Sequence, residues 1–445
     1  MRFIVAILTL TIITGPIRAQ EPTPAQRGEK ALLTRAFVPG AWTVEAYEEA
    51  WKHWDPKLDK APADYAGAFR DRYGLHPAPF ENGRYPMGLR DGSGFFGGKG
   101  LTNDCMICHG GSILGKSYVG LGNSTLEIQA MFEELGKASG GNGKLPFTFG
   151  RVRGTSEAGA MAVFLLSFRE PDLKLTFKPL DLGLRDDLIE DVPAWWLLKK
   201  KKTMYHTGTT PARSVRSIMQ FMLTPLNSAE VFDREEATFR DIQAYLLSLS
   251  APKYPNPIDH GLAAKGEPIF NKTCAKCHGT YGPDGSYPNK IVPIDVIGTD
   301  RNRFEGFSRK VGEHYNKSWF AHEKGDGYQV TEPIGYQAPP LDGIWATAPY
   351  FHNGSVPTLY HVLNSRTRPR IYTRSFRTDA EAFDTVKMGW KVQVLEQAPA
   401  AEMTPYQRRR IYDTTRPGQG NGGHTFGDDL SEEQRQAVIE YLKTL

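Results

Sequence analysis

Cys105-Met106-Ile107-Cys108-His109 and Cys274-Ala275-Lys276-Cys277-His278 place all four cysteines of the chain in two copies of one pattern, C-x-x-C-H. Two thiols at this spacing can form thioethers to the vinyl groups of a haem, and the short turn sets the adjacent histidine to ligate the iron from one side. Used this way, no cysteine is left for a structural disulfide. The competing readings are two redox-active or zinc-binding C-x-x-C motifs. Neither accounts for a histidine directly after both pairs. The motifs therefore predict two covalently bound haem c groups. Cys105, Cys108, Cys274 and Cys277 are the attachment points, and His109 and His278 are axial iron ligands.

The chain of 445 residues is long for one core and comfortable for two domains. With 40% hydrophobic and 23% charged residues, it fits neither a disordered chain nor a multi-span membrane protein. Met1-Arg2, the apolar run Phe3 to Thr14 and the closing Ile17-Arg18-Ala19 read as a signal peptide cut after Ala19. The run is shorter than the roughly 20 residues a spanning helix needs, so no membrane span is expected after cleavage. The mature protein is then expected in the periplasm or outside the cell. Loss of Arg2 and Arg18 takes the formal charge from +4 to +2, which makes no case for a nucleic-acid partner.

Mainly helical structure is expected, with long loops and little sheet. Residues 20–71, with Trp42, Trp51 and Trp54, read as a helical extension on the first domain. Gly74 to Leu101, rich in Gly, Pro and aromatics, reads as loop approaching the first motif. Helical spacing of apolar residues predicts helices over Ser124 to Lys137, Ala158 to Phe168 and Asp233 to Ser248. The run Ala251-Pro252-Lys253-Tyr254-Pro255-Asn256-Pro257 marks a linker between a first haem domain, 20–250, and a second, 260–445. Leu262 to Phe270 resembles the opening of small cytochrome c domains. At the other end, Ser431 and Gln434 can form a capping box on a terminal helix with Val438, Ile439, Tyr441 and Leu442 on its apolar face. These two helices should cross.

Pro339-Pro340-Leu341-Asp342-Gly343-Ile344-Trp345-Ala346-Thr347-Ala348-Pro349-Tyr350-Phe351-His352-Asn353-Gly354-Ser355-Val356-Pro357-Thr358-Leu359 resembles a signature of the bacterial di-haem cytochrome c peroxidase and MauG superfamily. Asp191-Val192-Pro193-Ala194-Trp195-Trp196 and Gly420-Asn421-Gly422-Gly423-His424-Thr425-Phe426-Gly427 place the likeness closest to its rubber-oxygenase-like branch. The resemblance implies two cytochrome c-like domains with unlike haems. The C-terminal haem is six-coordinate, and the N-terminal one keeps a face where peroxide or dioxygen binds. It also implies an axial histidine in the glycine-rich loop, here His424, and a tryptophan carrying electrons between the haems, here Trp195 or Trp196. As in some relatives, a calcium ion between the domains is compatible with the likeness.

Opposite His278, the candidates besides His424 are His352, Met388 and Met403. Val362-Leu363-Asn364-Ser365-Arg366 carries neither the Met nor the Tyr of the peroxidase and MauG branches, which favours a bis-histidine second haem, and such ligation lowers the reduction potential relative to His/Met. After His109 the next histidine is His206, so the first haem is expected to be open on its distal side. No segment supplies the peroxidase glutamate. Glu157, Tyr205 and His206 are acid-base candidates by position. The run Lys199-Lys200-Lys201-Lys202 reads first as a solvated helix end and second as a docking patch for a small acidic redox donor. Together these features lead to a di-haem oxidoreductase that activates peroxide or dioxygen at the first haem and acts on an organic or protein substrate. A non-catalytic di-haem electron carrier is the alternative.

Overall fold

A computed structural model describes residues 21–445 except 95–96, 186, 324–325 and 399–402. The signal-peptide reading of residues 1–19 lies outside the described residues. The longer helices are α1 (Pro24–Thr34), α2 (Tyr65–Tyr73), α3 (Ile128–Ala138), α4 (Ala158–Ser167), α5 (Ala229–Ser248), α6 (His260–Thr273), α7 (Arg309–Lys317) and α8 (Glu432–Leu442). Helix outweighs strand.

Two helix crossings are built the same way. In α6, a Cβ on Gly266 would lie 1.9 Å from the Ala437 carbonyl oxygen of α8, so only glycine lets these backbones meet. In α1, a Cβ on Gly28 would lie 1.9 Å from the Asp241 carbonyl oxygen of α5. The sequence around the two glycines, Gly28-Glu29-Lys30 and Gly266-Glu267-Pro268, shares its Gly-Glu step. The N-terminal segment thus does more than extend the first half, because α1 packs on α5 as α6 packs on α8. Residues 35–104 then stand between α1 and its motif, whereas α6 runs straight into Cys274. The Ser431 hydroxyl caps α8 and the Gln434 side chain returns the bond, as the spacing predicts.

Sheet is more frequent than the sequence suggests, in short ribbons. The glycine-rich approach to the first motif, expected as loop, contains the hairpin β1 (Leu89–Ser93) and β2 (Lys99–Asn103), paired antiparallel. Its alternation is hidden because glycine occupies positions 92 and 100, where packing is tight. A second hairpin, β3 (Gly110–Ile113) with β4 (Lys116–Val119), follows the motif directly. Ile371–Thr373 is the centre of a three-stranded sheet between Gln393–Val394 and Ile411–Asp413.

The apolar clusters cross the proline-rich stretch in both directions. Val311, Tyr315 and Phe320 pack with Phe232, Phe239 and Leu246. Ile113, Leu121 and Trp196 pack with Phe270, Trp345 and Val438. The tryptophan-rich segment has its own cluster, with Trp42, Trp54, Phe69 and Tyr73 on Met131 and Leu135 of α3. Inside it, the buried Arg72 and Glu134 form an ion pair, and the Tyr73 hydroxyl donates to Glu134 at 2.8 Å.

Candidate haem site

Each C-x-x-C-H motif forms one helical turn. The His109 amide donates to the Cys105 carbonyl at 3.0 Å, and the His278 amide to the Cys274 carbonyl at 3.1 Å. The first turn is anchored by Asp104, which accepts the Met106 N–H at 2.8 Å and the Arg90 Nε–H at 2.6 Å. All four thiols are free and line one cavity of about 1060 Å³, together with His109, His278 and His424. That volume is at the top of the range for a single small-molecule site. Burial raises the Cys105 thiol, and raises Cys108 to about 12 and Cys274 to about 11. A redox-active dithiol needs the opposite, a thiol lowered by nearby positive charge. The donor set and the shared cavity fit haem attachment.

The two motif histidines are held differently. His278 Nδ1 donates to the Pro339 carbonyl at 2.8 Å, which fixes the tautomer and leaves Nε2 bare for a metal. Pro339 opens the long signature segment, so that segment orients the histidine from behind. His109 Nδ1 faces the Pro193 carbonyl, without the well-formed bond that His278 makes to Pro339. Its ring also stacks on Trp195, with centroids 4.6 Å apart and planes at 24°. Backbone bonds lock this pair, since Gly120 N–H donates to the His109 carbonyl at 2.7 Å and Trp195 N–H to the Gly120 carbonyl at 2.8 Å. Burial lowers the His109 imidazole to about 4, so it is neutral near pH 7, as ligation requires.

The His278 and His424 ring centroids are 6.2 Å apart. Metal–imidazole bonds of about 2 Å, plus the depth of two rings, put trans ligands roughly 6 Å apart between centroids. His424 reaches this place through backbone that few residues adopt. Its φ is +46°, its N–H donates to the Ile297 carbonyl at 2.7 Å, and a Cβ on the preceding Gly423 would sit 2.2 Å from the Gly298 carbonyl carbon. The loop's glycines thus serve an approach to the backbone at Gly298. His352 is elsewhere on the cavity wall, stacked on Tyr336 at 4.0 Å and 15° and 6.3 Å from His206. Met388 is buried in the core. Neither Met388 nor Met403 lines the cavity.

The paired tryptophans part company. Trp195 lines the cavity, whereas Trp196 is buried in the core with its indole N–H donating to the Asp342 carbonyl at 2.9 Å. Tyr205 and His206 both line the cavity. His206 Nε2 donates to the Asp191 carbonyl at 2.8 Å, and burial, with the Arg303 charge, pushes its pKa down to about 3. Glu157 is buried outside the lining, with Arg151 3.8 Å away. The lysine run is not uniformly solvated. Lys199 donates to the Leu249 carbonyl at 3.1 Å and Lys200 pairs with Asp342 at 2.7 Å. Lys201 lines the cavity, where burial lowers its amine to about 8.

Several wall residues carried no signal in the sequence. Glu190 and Arg303 form a buried pair at 2.5 Å. Met161, Ala162 and Leu165 of α4 supply an apolar wall. Glu190 directly precedes the Asp191-Val192-Pro193 stretch, which is the nearest a reading by motif comes to it. Among the described residues no group of three or more His, Cys, Asp or Glu is placed to hold a metal ion, and no helix is long and apolar enough to cross a membrane.

Comparisons with known proteins bear on the segment beyond the second motif. Residues 335–373 match a family described as RoxA-like, cytochrome c-like. Two Sinorhizobium fredii (strain NBRC 101917 / NGR234) proteins of uncharacterized function are similar. The protein y4iM is 28% identical over 296 residues, 58% of this chain and 64% of its own length. The protein y4iJ is 26% identical over 264 residues, 44% of this chain and 41% of its own. The chain thus spans less than two thirds of the length of these curated relatives. A structure of hydrazine synthase from Kuenenia stuttgartiensis covers 68% of this chain and 89% of its own at 13% identity, and its TM-score of 0.24 carries no argument. Motifs, cavity and family match together support a haem protein of the cytochrome c type, mainly helical, with a cytochrome c-like segment at 335–373.

Proposed function

We propose that the chain is a periplasmic di-haem c-type cytochrome that acts as an oxidoreductase, with haem lobes at 20–250 and 260–445. Haem at each motif supplies redox chemistry, and oxidant binding where one face of the iron is free. The observation that carries the reading is the 6.2 Å separation of the His278 and His424 rings inside a cavity that also receives all four cysteines. His278 and His424 would hold the second haem, which would then serve electron transfer. His109 would hold the first haem, which would supply the chemistry with peroxide or dioxygen.

Trp195, stacked on His109, is the residue that links the first haem to its neighbour, and Trp196 is structural. Tyr205 and His206 are the cavity groups available to hold or move a proton. His206 is held neutral by burial and the Arg303 charge, with Nε2 committed to Asp191, so its Nδ1 can accept a hydrogen bond from a bound ligand but holds a proton poorly. A small redox protein supplies electrons, and the apolar wall from α4 faces an organic or protein substrate.

Absorption and low-temperature EPR spectra of the isolated holoprotein test this reading, repeated with peroxide and, after reduction, with dioxygen. One low-spin and one high-spin haem, with the high-spin signal altered by oxidant, is the expected result. Two low-spin haems indifferent to both oxidants would leave an electron carrier and overturn the catalytic reading.

A further inference from the structure

Three side chains bring hydrogen-bond donors to the cavity wall around Tyr336 with no partner among the described residues. They are Arg303, through Nε and Nη1, Thr299, through Oγ1, and His352, through Nε2. All are buried, Arg303 to 3% exposure. Their placement is enforced. The Tyr336 hydroxyl donates to the Asp300 carbonyl at 2.9 Å and accepts the Phe304 N–H at 3.1 Å, which holds residues 299–304 against the ring. The His352 imidazole stacks on that same ring at 4.0 Å.

A buried guanidinium with two unused nitrogens costs free energy unless an acceptor meets it. Its third nitrogen, Nη2, already pairs with Glu190. The Nε–H and the free Nη1 N–H point in different directions, because the edge Nε shares is the one with Nη2, so each calls for its own oxygen; a carboxylate supplies a charged acceptor for either. The Thr299 hydroxyl and the His352 imidazole beside the guanidinium can add hydrogen bonds to the same carboxylate.

The position of this cradle says which carboxylate. Thr299 is two residues from Ile297, whose carbonyl accepts the His424 N–H, and its own amide abuts Gly423. The cradle therefore borders the His278/His424 pair. We propose that Arg303, Thr299 and His352 hold a propionate carboxylate of the haem attached at Cys274 and Cys277, an inference that rests on the di-haem reading above. Arg303 then stands between that propionate and Glu190, whose charge is also felt at Cys108 of the first motif. One guanidinium would tie the charged groups of both haem sites together.

The test uses the full-length holoprotein and variants Arg303→Met and Arg303→Lys. Haem content comes first: fewer than two haems per wild-type chain, by pyridine haemochromogen, would sink the di-haem reading itself. With two haems present, Arg303→Met removes a cation beside the second haem and so favours its ferric form. The low-spin haem should become about tenfold harder to reduce, about 59 mV for one electron, and its propionate bending band in resonance Raman should shift. Arg303→Lys keeps the charge and loses the directed Nε–H and Nη1 N–H donors, so the band should shift with a smaller change in potential. Should Arg303→Met fail to fold, Arg303→Lys and Thr299→Val still read the band. Unchanged band and potential in folded variants would overturn the proposal. So would a wild-type spectrum that responds to added acetate, because the cradle would then be open to an outside carboxylate.

Discussion

Replacing His424 by glycine separates the ligand's role from the loop's fold. His424 holds φ at +46°, where an L-residue is penalised by roughly 1 kcal/mol or more. Glycine removes that strain, and its greater freedom in the unfolded chain offsets roughly 0.5–1 kcal/mol of the gain. The two backbone effects nearly cancel. His424→Gly should therefore fold, retain both haems and lose one imidazole. With the His278 and His424 rings 6.2 Å apart about one metal position, the expected effect is one haem per chain changing from low to high spin. EPR spin quantification reads this directly, and far-ultraviolet circular dichroism checks the fold. Added imidazole should restore the low-spin signal by entering the space left by the ring. His352→Phe, which keeps the stack on Tyr336, should leave both spin states alone. Retention of the low-spin signal in His424→Gly, or its loss in His352→Phe, would refute the ligand assignment.

The remaining predictions concern packing and protons. Trp195→Phe should slow electron transfer between the haems in flash-reduction kinetics with little loss of stability. Trp196→Phe should do the reverse, costing about 1–3 kcal/mol in urea unfolding for the broken bond to the Asp342 carbonyl. Equal kinetic effects would remove the distinction between the two indoles. Gly266→Ala should cost about 3 kcal/mol, because the new Cβ meets the Ala437 carbonyl oxygen at 1.9 Å between two packed helices; a variant as stable as the parent would mean that the crossing is loose. His76 is buried against the Thr125 hydroxyl and pushed down to about 4, below the roughly 6.5 of an unfolded chain. Between those values the unfolded state binds the extra proton. Its share of stability, on the order of 3 kcal/mol, is present above pH 6.5 and lost as pH falls toward 4. His76→Gln should flatten that part of the stability profile, and an unchanged profile would assign the loss to other buried histidines.

Local signals carried much of the architecture. The capping box at Ser431 and Gln434, the periodic runs of α3 to α5 and the two C-x-x-C-H turns are set by residues within a few positions of one another, so they are readable without the fold. The hairpin of β1 and β2 was not. Its glycines answer to what packs on them, and a glycine-rich stretch looks the same whether it is loop or tightly packed strand. The match of α1 to α6 was hidden because residues 35–104 separate α1 from its motif.

The linear sequence by itself pointed to haem attachment at 105–109 and 274–278, since two thiols and a following histidine carry their meaning in their spacing. It also narrowed the partner of His278 to a few residues, with the glycine-rich loop favoured. Only the tertiary structure decided which ring comes to 6.2 Å from His278, which tryptophan stacks on His109, which lysine of the run turns inward, and that Arg303 meets Glu190 from 113 positions away along the chain. Those outcomes depend on long-range burial and on how polar groups are satisfied there. No short-range pattern encodes such constraints.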